Sequence, residues 1–181
     1  MKKLLGFCGL PGSGKSTAIE SIKDLGKIII MGNIVRREVQ KRNMPLIDEN
    51  LGIVAKSLRE KYGKGIIAKK CVDLIKKQKD NIFFIDGLRS MDEVKVFRNH
   101  WKFPVIAITI SLEKRYKIIK NRSRKDDPKS IRELKLRDQR EMKFGLKEVI
   151  ENADFTIVNE STKKKLKKKT RRLVLNILKV Y

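Results

Sequence analysis

The chain has 181 residues, 45 of them Lys or Arg against 21 Asp or Glu, for a formal net charge of +24; 40% are hydrophobic. That apolar share excludes a disordered chain, and the length suits one domain, residues 1–181, around a single substantial core. No apolar run is long enough to cross a bilayer and the N-terminus does not read as a signal peptide, so a soluble cytoplasmic protein without a membrane partner is expected.

Taken in order, the pattern alternates strand and helix. Lys3 to Cys8 is a short apolar strand, and Lys15 to Lys23 reads as a helix. Between them residues 9 to 16, G-L-P-G-S-G-K-S, satisfy G-x-x-x-x-G-K-[ST] in the strand-to-helix context that the motif needs. Glycines there let backbone N–H groups converge on phosphate oxygens. The set Gly9, Leu10, Pro11, Gly12, Ser13, Gly14, Lys15, Ser16 and Thr17 is therefore expected to hold the phosphates of ATP or GTP. In it Lys15 meets the β- and γ-phosphates and the Ser16 hydroxyl ligates Mg²⁺.

Lys27 to Met31 is a second, fully apolar strand, as in a parallel sheet covered on both faces. Asn33 is expected to cap a helix from Ile34 to Arg42. Asp48 and Glu49 open a helix to about Tyr62, and Gly63-Lys64-Gly65 separates it from another over Ile66 to Lys77. Residues 33–75 thus form a small helical region suited to an acceptor flap. Asn81 to Ile85 is a third strand, closed by Asp86-Gly87. An apolar strand ending in a carboxylate puts Asp86 at the carboxyl edge of the sheet, where it can hold the metal or orient an acceptor; a plain turn-forming Asp is the alternative.

Met91 to Asn99 reads as a helix, Val105 to Ser111 as a fourth strand and Leu112 to Asn121 as a helix. Lys129 to Lys143 is helical again, Ala153 to Val158 is a fifth strand, and Ser161 to Val180 closes the chain as a helix. Strands separated by helices imply right-handed crossovers and one parallel sheet. The expected fold is α/β: a three-layer P-loop NTPase fold with a five-stranded parallel sheet flanked by helices.

Cys8 and Cys71 sit in apolar surroundings and read as reduced core residues, and His100 stands alone, without the ligand clusters that metals recruit. Any catalysis must then use Lys, Arg, Asp, hydroxyls and a bound cation. Arg122 and Arg124 lie in a polar stretch between helices, suited to stabilising charge on a transferred phosphoryl group or, alternatively, to ordinary solvation. Arg36 stands near the start of its helix, where a cation makes sense beside a phosphate. Arg137 and Arg140 could face the cleft or form salt bridges on a helix surface.

Together these residues resemble the nucleoside-monophosphate kinase superfamily, the adenylate kinases and their relatives. The stretch Met31-Gly32-Asn33-Ile34-Val35-Arg36 is similar to that family's G-D-x-L-R, whose Arg grips the acceptor phosphate. Asp86-Gly87-Leu88-Arg89 is similar to its D-G-x-P-R, with the Arg one position early and the Pro missing. The segment 122–129 resembles a short lid, without room for a long β-hairpin. The whole chain also resembles an archaeal adenylate-kinase-related, dephospho-CoA-kinase-like family, through Ala153 to Ser161. The resemblance implies kinase activity, Lys15, Asp86, Arg122 and Arg124 as catalytic residues, and Gly32, Arg36, Gly87, Arg89 and Arg137 at the acceptor. It also implies Asn159 near the donor adenine. The charge leaves two readings open: a compositional bias, or a polyanionic partner such as RNA or a ribosome met through the basic C-terminal helix.

Overall fold

The computed structural model describes residues 2–122, 128 and 130–180. Its sheet is built from β1 (Lys3–Cys8), β2 (Lys27–Ile30), β3 (Ile82–Asp86), β4 (Val105–Thr109) and β5 (Phe155–Val158). All pairings are parallel and the order is β2-β3-β1-β4-β5.

The helices are α1 (Lys15–Glu20), α2 (Gly32–Lys41), α3 (Asp48–Tyr62), α4 (Ile66–Lys76), α5 (Met91–Arg98), α6 (Leu112–Arg122), α7 (Ile131–Lys143), α8 (Leu146–Glu151) and α9 (Lys163–Val180). Together with the sheet they make the expected three-layer P-loop fold.

Strand alternation sorts the core into two clusters, one on each face. Leu4 and Cys8 of β1 join Phe83 and Ile85 of β3 beneath α2, α3, α4, α5 and α8. Leu5 and Phe7 join Phe84, Ile106 and Ile108 beneath α1 and α9. Helices α2, α3 and α4 supply Val35, Val39, Val54, Leu58, Ile67, Cys71 and Ile75 to the first cluster, so the expected flap region is also part of that layer. Both thiols are buried, and burial pushes Cys8 and Cys71 up to about 12.

Two local expectations need correction. The second helix begins at Gly32 with Met31 as its N-cap, and Asn33 lies inside the first turn. The cause is the Met31 amide, which donates to the Asp86 carbonyl at 2.9 Å and so ties the start of the helix to the end of β3. This leaves Asn33 Oδ1 to accept from Arg36 Nη1 at 3.4 Å. The helix α8 has no counterpart in the sequence reading. Gly145, at φ 103, ends α7 in the left-handed conformation that suits glycine and starts six residues of α8, whose Leu146 and Val149 are buried.

Among the described residues no helix is long and apolar enough to cross a membrane.

Candidate active site

The strand order decides where the cleft lies. Because β3 sits between β1 and β2, Asp86 pairs in register with Phe7 on one side and Ile30 on the other. The turn after β1, the start of α2 and the Asp86 corner therefore converge at the carboxyl edge of the sheet, where open α/β sheets bind ligands. There they line a cleft of about 810 Å³.

One wall of that cleft is backbone. Gly9 has φ +140, and a Cβ there would come within 2.3 Å of the Ile108 carbonyl oxygen. Gly14 has φ +102, and a Cβ would meet Asn159 Nδ2 at 2.5 Å. Only glycine fits either position without displacing a neighbour. The turn is closed by the Ser13 amide donating to the Leu10 carbonyl at 3.0 Å. Gly9, Pro11, Gly12, Gly14, Lys15, Ser16 and Thr17 face the cleft. Leu10 and Ser13 face the opposite side, toward Ile108 and Ile150.

Asn159 does not line the cleft. It is 6% exposed, and its Nδ2 donates to the Ser13 carbonyl at 2.9 Å, so it braces the loop from behind.

The Lys15 ammonium folds back along the loop, donating to the carbonyls of Gly9 at 2.6 Å and Leu10 at 3.2 Å. Its pKa lies below the ordinary lysine value. Burial is the main cause, Asp86 pulls it back up and Arg89 pushes it further down. Such a cation is one that an arriving phosphate would stabilise. Ser16 and Asp86 offer a hydroxyl and a carboxylate to the same cleft, a hard-oxygen set that suits Mg²⁺ retaining much of its water. Among the described residues no group of three or more His, Cys, Asp or Glu could hold a metal alone. A cation at Ser16 and Asp86 would therefore rely on phosphate oxygens as well.

The other wall is made of side chains. Gly32, Arg36, Gly87, Arg89 and Arg137 all border the cleft. Arg89 pairs through Nε with Glu141 Oε2, and its Nη1 donates to the Gly87 carbonyl at 3.3 Å. The Arg89 amide donates to Glu93 Oε2 at 2.8 Å, while Glu93 Oε1 accepts from Arg59 Nη2 at 2.8 Å. Arg137 and Arg140 of α7 flank Asp48 of α3 at 3.4 and 2.5 Å. Gly52 lies against the Arg140 guanidinium, so α3 and α7 approach closely there.

Burial works to push the Glu141 carboxyl up, but the charge and hydrogen bond of Arg89, with Arg137 and Arg140 behind it, hold it below the ordinary carboxylate range. Glu141 in turn raises Arg89 above its ordinary value. Arg122 is the last residue of α6. Arg124 lies outside the described residues, as does the expected lid 122–129 apart from Arg122 and Pro128.

Comparison with known proteins now adds to this geometry. Residues 5–144 match the family model described as an AAA domain. A UPF0200/UPF0201 protein of Archaeoglobus fulgidus is 43% identical over 98% of this chain, which spans 56% of that relative's length. A UPF0200 protein of Methanothermobacter thermautotrophicus is 36% identical over 94% of this chain and 88% of its own. The chain belongs to the UPF0200 family.

Solved structures resemble this UPF0200 chain in fold. The protein TT1252 of Thermus thermophilus superimposes with a TM-score of 0.66 at 17% identity, over 97% of both chains. A shikimate kinase of Bacteroides thetaiotaomicron gives 0.59 at 10% identity, covering 95% of this chain and 98% of that one. A sugar kinase of Janibacter gives 0.53 at 14%, covering 93% and 92%. At these identities the likeness is one of architecture: the UPF0200 chain has a kinase-like P-loop fold.

Sequence reasoning missed Glu141, Glu93 and Asp48 in this UPF0200 site. Each stands in a helix among many charged residues, and the only signal was the spacing of Arg137, Arg140 and Glu141, which put three charges on adjoining faces of α7. Lys163, at the start of α9, also reaches the rim of the cleft.

Proposed function

We propose that this protein is a Mg²⁺-dependent phosphotransferase that moves the γ-phosphoryl group of ATP or GTP to a small phosphate-bearing acceptor. A nucleoside monophosphate of the AMP type is the first candidate and dephospho-CoA a related one. The observation that carries this reading is a single cleft with the Gly9–Thr17 loop on one wall, Arg36, Arg89 and Arg137 on the other, and Asp86 between them. A plain nucleotide hydrolase needs the first wall; a transferase needs both.

In this reading the loop amides and Lys15 take the β- and γ-phosphates of the donor. Ser16 and Asp86 would hold a Mg²⁺ ion arriving with the nucleotide, which would supply neutralisation of the phosphate charge. The acceptor phosphate lies among Arg36, Arg89 and Arg137. With a nucleoside monophosphate, one of its phosphate oxygens forms the new P–O bond to the γ-phosphorus, the bond to the β–γ bridging oxygen breaks, and the electron pair leaves with the nucleoside diphosphate. With dephospho-CoA the attacking oxygen is a sugar hydroxyl, whose proton passes to Asp86. Arg122 and Arg124 are the candidates for charge stabilisation of the moving group, a role in which a positioned Arg contributes roughly 10³ to 10⁵ in rate in GTPases. Asp86 orients the acceptor and Asn159 keeps the donor loop in shape.

The test is an assay with ATP and AMP, extended to other nucleoside monophosphates and dephospho-CoA, with GTP as alternative donor. The expected result is magnesium-dependent appearance of diphosphate and phosphorylated acceptor. Folded protein with Mg²⁺ that turns over none of these acceptors would refute the proposal.

A further inference from the structure

Nine basic residues lie between Lys163 and Lys179, and no acidic residue follows Glu160. The apolar stripe of α9, Leu166, Val174 and Ile177, is buried in the core cluster shared with α1. Two cations turn toward α1 and the turn that follows it and are paired there: Lys167 with Glu20 at 2.8 Å and Arg171 with Asp24 at 2.7 Å. The outward face differs. Lys164, Lys168 and Arg172 recur every four residues and are exposed, with exposed Lys165 and Lys169 beside them. None of these five has an ion-pair partner among the described residues.

This arrangement works against the isolated helix. Like charges four residues apart repel. Three lysines in the first turn, Lys163 to Lys165, oppose the positive end of the helix dipole. Glu20 and Asp24 form ion pairs only with the inward pair, so the outward charges gain no ion pair among the described residues. An external polyanion would reverse the sign of both effects.

The chemistry of the face narrows the partner. Its cations stand about 6 Å apart along the axis, a spacing that can follow successive phosphates. Insertion into a membrane interface needs a free apolar face, and that of α9 is already covered. Between Lys163 and Val180 there is no aromatic residue, so the base stacking used to hold single strands is missing. Four of the five outward cations are lysines, compact point charges that suit phosphate oxygens better than planar, paired recognition of base edges. In double-helical RNA the major groove is closed to side chains, and recognition runs through shape and through contacts to phosphates and 2′-hydroxyls, largely without regard to sequence. We infer that the outward face of α9 binds the phosphate backbone of double-helical RNA without regard to sequence.

The experiment is fluorescence anisotropy of a labelled RNA duplex titrated with the full chain across a salt series. Binding with a Kd on the order of 10⁻⁴ to 10⁻⁶ M is expected at physiological salt, with log affinity falling linearly in log salt. The triple change Lys164→Glu, Lys168→Glu, Arg172→Glu is expected to weaken binding by about tenfold or more and to lower the salt slope by about 3. The corresponding Gln variant, which keeps the surface uncharged, is expected to show the same direction. A control reversal of Lys69, Lys70 and Lys76 on α4 changes net charge equally and is expected to leave affinity within about threefold. Equal losses from both reversals, no loss from the first, or tighter binding to the matching DNA duplex or to phosphatidylserine–phosphatidylcholine vesicles would each overturn the inference.

Discussion

The loop wall of the cleft, Gly9 to Thr17, is largely backbone contributed by seven of nine consecutive residues, whereas the facing wall is made of side chains drawn from α2, the Asp86–Arg89 corner and α7. In the loop, shape is set by left-handed glycines and by one distant amide, Asn159. In the facing wall, shape is set by charge: Arg59, Glu93, Arg89 and Glu141 form a linked series, and Arg137 and Arg140 close on Asp48. A backbone wall is rigid and indifferent to what lies beyond the phosphate. A wall of paired arginines can exchange a protein carboxylate for a ligand anion, which is what a site for a second phosphate requires.

That contrast can be broken at several points, the most damaging first. Glu93 is fully buried and Arg59 nearly so. Glu93→Ala is expected to cost about 3–5 kcal/mol of stability, measured by denaturant unfolding, because it strands the Arg59 charge. Replacing both by apolar residues of similar volume is expected to cost much less than the single change.

Lys15→Ala should behave in the opposite way. A fall in phosphoryl transfer of roughly 10²–10³ is expected, the scale seen when one preorganised donor to a transition-state charge is removed. Its thermal midpoint should hold or rise, since burial already disfavours the Lys15 charge. A large loss of stability would show that the lysine serves the fold rather than the ligand.

Asn159→Ala removes the donor to the Ser13 carbonyl. A stability loss of about 1–3 kcal/mol is expected, with weaker nucleotide binding, read by calorimetry and thermal shift.

The gentlest probe is pH. The folded-state pKa of Glu141 lies below its unfolded value, so its ionised form stabilises the fold above the ordinary carboxylate range, and that contribution is lost as pH falls through the lowered folded value. Glu141→Gln is expected to flatten the acid limb of the stability–pH profile while leaving the alkaline limb unchanged. An unaltered acid limb would mean that Arg89 and Glu141 do not interact in solution.

How much could be read from the sequence follows the same division. The loop was legible because its chemistry is local: eight residues in a row satisfy a spacing that only a phosphate cradle explains. The inner strands were legible because strands covered on both faces read as short apolar runs, as in IFFID and VIAIT, and the edge strand β2, KIII, carries the same kind of run although it is only partly buried. The α8 helix was missed because it has six residues, with only Leu146 and Val149 fully buried, too few to set a period. The Asn33 cap failed because a tertiary bond from Met31 to Asp86 overrode a local preference.

Glu141 stayed invisible for a different reason. It meets Arg89 across 52 residues of chain, and a glutamate on a helix rich in Lys and Arg looks like any solvated surface residue until the fold buries it. The bond from Asn159 to the Ser13 carbonyl spans 146 residues of chain, and no local pattern announces a contact of that reach.

The central claim is that the Gly9–Thr17 loop and Lys15 hold the terminal phosphates of a nucleotide. Isothermal titration of MgATP into the wild-type chain and into Lys15→Ala tests it most directly. A saturable one-to-one isotherm for the wild type, abolished or weakened by at least about tenfold in the variant, is the predicted result. A wild-type chain that takes up neither MgATP nor MgGTP, or a variant that binds as well as the wild type, would contradict it.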